Sequence, residues 1–435
     1  MKVIDKFNNL LSIRLTAEVS IVCILSFIII YFFYLLIFVF AVNIPYWDDY
    51  NAILGFSDFF LLSNLHDKIA LFFSQYNEHR IVLCRLLVLL SYYLTGKINF
   101  KLLTIIGDIS LVGLLIVFLK SSVFSKDKNI PPRFIIPAVL LLFQPQYWET
   151  IIMSMAAISN LFVLFFAFLS VYLLTKQSMK YFIFSLLFAI LATFTNGNGM
   201  FVFLIGLFFL IFQKRYKEIR SWALVGITCI WLYFLGYLKP LNHPSIAAAI
   251  FIHPVETMGY FFNFLGACSL NLIPTATQFS YRLTFLTGVL FSLYFAYLFK
   301  IKYYKINPAI FSFLSFLFIS AAAVSLCRCG FGIYQSLASR YAIISVLCLI
   351  SFYFSAIEIL SQKITRYIFP ILLLGAILFN LFSYHNSYGA LASHKATLIN
   401  ASHHNNFELL YPFPSYAKLI MFIAKENGYY FFPVK

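Results

Sequence analysis

Residues 20–42 read SIVCILSFIIIYFFYLLIFVFAV, and residues 43–50 continue NIPYWDDY. The first stretch carries no formal charge, and as a helix it is about 35 Å long, enough to cross a hydrocarbon core of about 30 Å. No small-x-small cleavage site follows it, which predicts a retained signal anchor from about Val19 to Val42. The second stretch places two carboxylates directly beyond the span, behind a tyrosine and a tryptophan at interface depth. These two readings, span and acidic boundary, organise the rest of the chain.

The 435 residues are 62% hydrophobic and 11% charged, with mean hydropathy +0.90. A soluble domain carries roughly 25% charged residues, so this chain has too little polar surface for a soluble globule and predicts an all-α polytopic membrane protein. The net charge of +16 would suit a polyanion. The basic residues, however, fall in short clusters between apolar spans, which argues for membrane topology and against a nucleic-acid partner. The seven cysteines show no zinc or disulfide spacing, and Cys327 and Cys329 read as ordinary residues at a span end.

Hydrocarbon thickness asks for about 20 apolar residues per span and predicts about eleven spans. They are Ser20–Val42, Lys101–Leu119, Phe134–Tyr147, Ala157–Thr175, Tyr181–Phe194, Met200–Phe212, Trp222–Leu238, Leu283–Phe299, Pro308–Leu326, Tyr341–Leu360 and Tyr367–Tyr384. One further apolar segment, Ile81–Thr95, decides the orientation of everything after it. The basic loops are the N-terminus, Lys120–Arg133, Lys176–Lys180, Lys214–Arg220, Lys300–Lys305 and Lys363–Arg366. All of them fall in the cytoplasm only if Ile81–Thr95 does not cross. It is therefore expected to lie along the outer interface, as a helix over about residues 79–95 in a first outer loop of residues 43–100. The N-terminus is then inside and the C-terminus outside, with a membrane domain over residues 1–384 and a small outer tail over 385–435.

This topology puts all eight histidines and most carboxylates on the outer side. Asp48 and Asp49 have the chemistry to deprotonate a hydroxyl, or to offer oxygen ligands to a divalent cation. Tyr46 and Trp47 read as interfacial belt residues. Leu65, Ile69, Phe72 and Tyr76 recur at helical spacing, which predicts an amphipathic helix from Asn64 or His66 to Tyr76, with Asn64 available as a cap. That helix would return Glu78, His79 and Arg80 to the boundary. If the helix continues, Glu78 and Arg85 share a face, leaving the other arginine free for a phosphate. Arg282, Arg328 and Arg340 are further outer arginines near span ends, where a lipid phosphate would meet a fork of donors. Asp108, within the second span, reads as a paired structural acid.

The order of a span, Pro45-Tyr46-Trp47-Asp48-Asp49, Asn77-Glu78-His79-Arg80-Ile81 with Arg85, Gln146-Tyr147-Trp148-Glu149 and Asn196-Gly197-Asn198-Gly199 resembles bacterial multi-span glycosyltransferases of the GT-C type. It is most similar to the serotype-converting O-antigen glucosyltransferases. The resemblance covers residues 44–199. It implies juxtamembrane helices in the first outer loop and a catalytic Asp at Asp48 or Asp49. It also implies a sugar, such as glucose, carried on a polyprenyl (undecaprenyl) phosphate donor and transferred to a glycan such as the O-antigen of lipopolysaccharide. The reaction would take place at the periplasmic face of the bacterial inner membrane, with a separate flippase and a polyprenyl-phosphate glycosyltransferase as working partners. The large soluble C-terminal domain of some relatives has no counterpart here.

The expected chemistry is an inverting transfer. Asp48 or Asp49 takes the acceptor proton, and Arg80, with Arg85, Arg282 or Arg340, binds the departing phosphate. Glu78, His79, Tyr46, Trp47 and Glu149 support the acceptor side. No cofactor is required, and a metal, if any, would sit on Asp48 and Asp49. The competing expectations are a transporter or flippase of lipid-linked sugars and an O-antigen polymerase.

Overall fold

The computed structural model describes residues 2–122, 131–240, 243–272 and 277–433, with side chains from residue 17 on, except those of 62 and 122. The described residues are helical throughout, with no strand beyond an isolated bridge between Tyr76 and His79. Eight helices among them are long and apolar enough to cross a membrane: Ala17–Phe40, Phe100–Ser121, Pro132–Ile152, Ser154–Leu174, Gln278–Lys300, Pro308–Phe331, Ser339–Ile359 and Gln362–His403. The three other expected spans coincide with helices that are shorter or less apolar, Met179–Thr193, Phe201–Phe212 and Tyr216–Phe234. Ser125 and most of the basic loop around it lie outside the described residues.

Two apolar cores run through the molecule. The larger joins the long helices and is built largely from phenylalanine, for example Phe168 stacked on Phe313 at 4.1 Å. The smaller lies at one end of the bundle. It packs Ile44, Tyr50 and Ile53 from the first loop against Cys84 and Val88, and against Ile420, Tyr429 and Tyr430 from the chain's last helix and the segment after it. The tail is thus a fitted cover. Trp47 N–H donates to Leu410 O at 2.9 Å, Ile98 N–H to Tyr429 O at 2.8 Å, and the Tyr430 hydroxyl to Asn43 O at 2.7 Å.

Several local expectations shift. Helix Leu65–Phe73 is capped by Asn64, whose Oδ1 accepts from Asp67 N–H at 3.0 Å. It stops short of Tyr76, and residues 76–79 form a tight turn with Asn77 at φ +45°. The next helix starts only at Val82 and runs to Thr95. At 1.5 Å per residue it is about 21 Å long, shorter than a hydrocarbon core. Its buried stripe contains Cys84, Arg85, Val88 and Leu89, while Leu86, Leu90, Tyr93 and Leu94 are exposed. The boundary expected at residue 384 falls within one helix, which runs from Gln362 to His403. That is about 63 Å of helix, twice the core thickness, so its second half is a strut carrying the cover.

Candidate active site

The first span's helix ends at Phe40, and Pro45, which cannot donate a backbone hydrogen bond, begins a sharp corner. Trp47 takes the left-handed conformation at φ +48° and turns the two following carboxylates in different directions. Asp49 goes inward. It is 2% exposed, with Oδ1 accepting from Met155 N–H at 2.9 Å and Oδ2 from Tyr46 N–H at 3.3 Å. Burial pushes its carboxyl up to about 7, against the opposing pull of those two N–H donors. Asp48 goes outward and is half-buried, and its Oδ1 accepts from the Tyr76 hydroxyl at 2.6 Å.

The turn carrying Tyr76 is anchored on every side. Tyr76 and His79 exchange backbone hydrogen bonds at 2.7 and 2.8 Å. The Tyr233 hydroxyl donates to Glu78 O at 3.0 Å, and the Glu78 carboxylate pairs with Arg328 and lies 3.5 Å from His243 Nδ1. His79 Nδ1 accepts from Gly197 N–H at 3.3 Å. Burial pushes His79 down to about 4, although Asp48's charge pulls the other way, so the ring is neutral at neutral pH with its proton on Nε2. The close approach depends on glycine, since a Cβ at residue 197 would stand 3.0 Å from His79 Nδ1 and 2.9 Å from the Tyr233 hydroxyl. At Gly199 a Cβ would meet Ala192 O at 1.9 Å, so the Asn196–Gly199 turn is a fitted wall as well as a hairpin.

Arg80 and Arg85 are engaged elsewhere. Arg80 is 9% exposed and donates to the carbonyls of Tyr233, Phe73 and Leu235. Arg85 donates to Phe72 O at 3.0 Å and Ser74 O at 2.6 Å, with its guanidinium 5.1 Å from the Phe56 ring centroid. Together they satisfy the carbonyls left open at the C-terminal end of helix Leu65–Phe73, where positive charge also complements the helix dipole. The expected Glu78–Arg85 pairing does not form. Glu78 sits in a turn and not on a continuous helix with Arg85, and its partner is Arg328.

Arg340 faces the acid pair from another side. Its backbone N–H donates to Glu149 Oε2 at 3.1 Å, and Glu149 N–H donates to Ser339 Oγ at 3.1 Å. The Arg340 guanidinium stacks 5.2 Å from the Tyr341 ring centroid, makes no ion pair within 4 Å among the described residues, and feels the charges of Glu149 and Asp48. Tyr46 belongs to this side too. Its ring meets His394 edge-on at 4.7 Å, and Trp148 stands 5.6 Å from the same imidazole. Trp47 is exposed. Arg282 is also exposed, and no hydrogen bond, ion pair or ring contact links it to these residues.

One group therefore comprises Asp48, Tyr76, His79, Glu149, Arg340, Tyr46 and His394. Tyr76 and His394 were not singled out in the sequence, because each joins the group only through contacts with distant parts of the chain. Of the two aspartates, Asp49 has each oxygen turned to a backbone donor, while Asp48 faces Tyr76. Among the described residues no three His, Cys, Asp or Glu side chains converge as metal ligands. Comparison with family models, curated proteins and solved structures finds no match to this chain.

Proposed function

We propose that the protein is an integral-membrane glycosyltransferase. In this reading it moves a sugar from a polyprenyl-phosphate donor to a hydroxyl of a surface glycan, on the outer side of the bacterial inner membrane. The observation that carries the reading is one accessible carboxylate, Asp48, within electrostatic reach of a guanidinium, Arg340, that rests on Tyr341 and has no ion-pair partner among the described residues.

In the transfer, Asp48 takes the proton from the acceptor hydroxyl as its oxygen attacks the anomeric carbon. The bond from that carbon to the phosphate oxygen breaks, and the electron pair leaves with polyprenyl phosphate. Arg340 meets the charge that develops on the leaving group, and removing such a donor typically costs roughly 100- to 1000-fold in rate. Tyr76 holds the Asp48 carboxylate in place. Glu149 sets the backbone of Arg340. Asp49 fixes the corner from which Asp48 projects. Because the leaving group departs as a stabilised anion, it needs no general acid.

The test is Asp48→Asn, assayed by glycan modification in cells and by membrane abundance. Transfer should be lost while abundance stays normal, and wild-type transfer would overturn the assignment. A transporter of lipid-linked sugars is the second reading. It is favoured by Asp108, which is fully buried in a spanning helix with neither carboxyl oxygen partnered. Loss of lipid-linked sugar movement in Asp108→Asn, with transfer intact in Asp48→Asn, would select it.

A further inference from the structure

A cavity of about 320 Å³ opens where the chain leaving the first span meets the start of helix Phe100–Ser122 and the last residues of the cover. Its walls include Asn43, Thr95, Lys97, Asn99, Tyr430 and Phe431. Both wall amides have their oxygens occupied: Asn43 Oδ1 accepts from Phe100 N–H at 2.7 Å, and Asn99 Oδ1 from Leu102 N–H at 3.0 Å. Their NH₂ groups are the unengaged ends. The cavity thus offers donors.

Lys97 is one of these wall residues, and two more lysines contact the last turns of the first span, which leads to Asn43. Lys97 Nζ lies 5.8 Å from the Phe431 ring centroid. Lys101, in the first turn of the adjoining helix, has its Nζ 3.7 Å from the Phe38 ring centroid. Lys395, on the strut, donates to Val39 O at 2.7 Å, and its charge acts on that of Lys101. None of the three forms an ion pair within 4 Å among the described residues. Lys101 and Lys395 repel each other, and beside them the donor amides and Lys97 line a wall that has no carboxylate among the described residues, which leaves an anion-sized deficit. Below this wall the surface is apolar and open, with Leu35, Phe38 and Leu102 exposed on the two spans. The ligand that fits has a negative head and a hydrocarbon tail.

We propose that this rim is a binding site for the phosphodiester headgroup of an anionic phospholipid, separate from the Asp48 group. Lys97 and Lys101 supply the charge, Asn43 and Asn99 supply amide donors, and the acyl chains run along Phe38 and Leu102. Lys395 braces the end of the first span. In the orientation argued above, these lysines sit on the side that positive-inside bias depletes, and a fixed anionic lipid supplies the reason to keep them. The site does not depend on the enzymatic reading.

The test uses the full chain in nanodiscs of phosphatidylcholine, with and without phosphatidylglycerol, and native mass spectrometry to read the lipids that stay bound. The wild-type protein should retain phosphatidylglycerol in preference to phosphatidylcholine. Lys97→Gln with Lys101→Gln should weaken that retention roughly 30-fold, at about a factor of five per lysine near a membrane surface. Lys97→Arg with Lys101→Arg should keep it. The Gln pair should melt at the wild-type temperature in phosphatidylcholine alone, which separates loss of binding from loss of fold. Equal retention of the two lipids by the wild type, or unchanged retention in the Gln pair, would overturn the proposal. Displacement of the lipid by millimolar inorganic phosphate would overturn the lipid assignment in favour of a soluble anion.

Discussion

Asp48 and Asp49 are neighbours in the chain with opposite surroundings, and Asp58, ten residues further on, has a third. Asp58 is 2% exposed and neither oxygen has a partner, so burial alone raises its carboxyl to about 8. In the unfolded chain an aspartate ionises near 3.9. Between about pH 4 and about pH 8 the folded protein keeps a proton that the unfolded chain has released, so this group's contribution to stability falls as pH rises through that window. Asp58→Asn removes the titration. Its melting temperature in detergent should therefore gain steadily on the wild type from about pH 4 to about pH 8 and run parallel above it. A constant offset across the range would mean that Asp58 ionises normally. The residue scale is also where the sequence is least informative. The pair at 48 and 49 is visible as a pair, but which member is reachable depends on the left-handed turn at Trp47 and on a backbone donor at Met155, neither of which leaves a local signal.

Helix Leu65–Phe73 illustrates what is legible at the next scale. Apolar residues at helical spacing and a cap at Asn64 brought its start to within two residues, Asn64 or His66, and the structure places it at Leu65. Its end depends on arginines beyond it in the chain, because Arg80 and Arg85 cover the last carbonyls from outside. Arg80 also ties the helix to Tyr233, at the end of helix Tyr216–Phe234, and to Leu235 just beyond it, and Gln75 adds a two-way clamp to Leu238 at 2.6 and 2.9 Å. Lysine has no planar fork and could satisfy these divergent carbonyls only in part. Arg80→Lys should accordingly destabilise the protein by about 3 kcal/mol, the loss of one or two charge-assisted bonds at about 1.5–3 kcal/mol each, and Arg80→Ala by more. Thermal unfolding in detergent measures it, and a wild-type melting temperature in Arg80→Lys would show that the clamp is unimportant.

For the whole molecule, hydropathy marked where the helices are and charge asymmetry suggested which loops are inside. A cysteine placed at Ser125 should be shielded from an impermeant thiol reagent in intact cells and react after permeabilisation. Labelling of intact cells would mean that Val82–Thr95 crosses the membrane and every later loop is inverted. Pairings across the chain were not legible in the same way. Glu78 with Arg328, His79 with Gly197 and Tyr46 with His394 join segments that have no local reason to meet, and each residue alone reads as an ordinary loop or span-end residue. The aromatic-rich tail was expected to fold as a small cap, but its composition shows only that it needs a surface to bury and not which one. The surface it buries belongs to the first loop.

That closure has a consequence for the order of events at the ribosome. The corner that presents Asp48 is held by Trp47 N–H on Leu410 O, a bond between one of the first outer residues to emerge and one of the last. At about 5–20 residues per second, the first loop waits roughly 20 to 70 s for its cover. Until then the small core around Ile44, Tyr50 and Ile53 lacks the Tyr429 and Tyr430 side chains that bury it. A chain cut short before residue 410 would insert its spans without the bond that holds this corner.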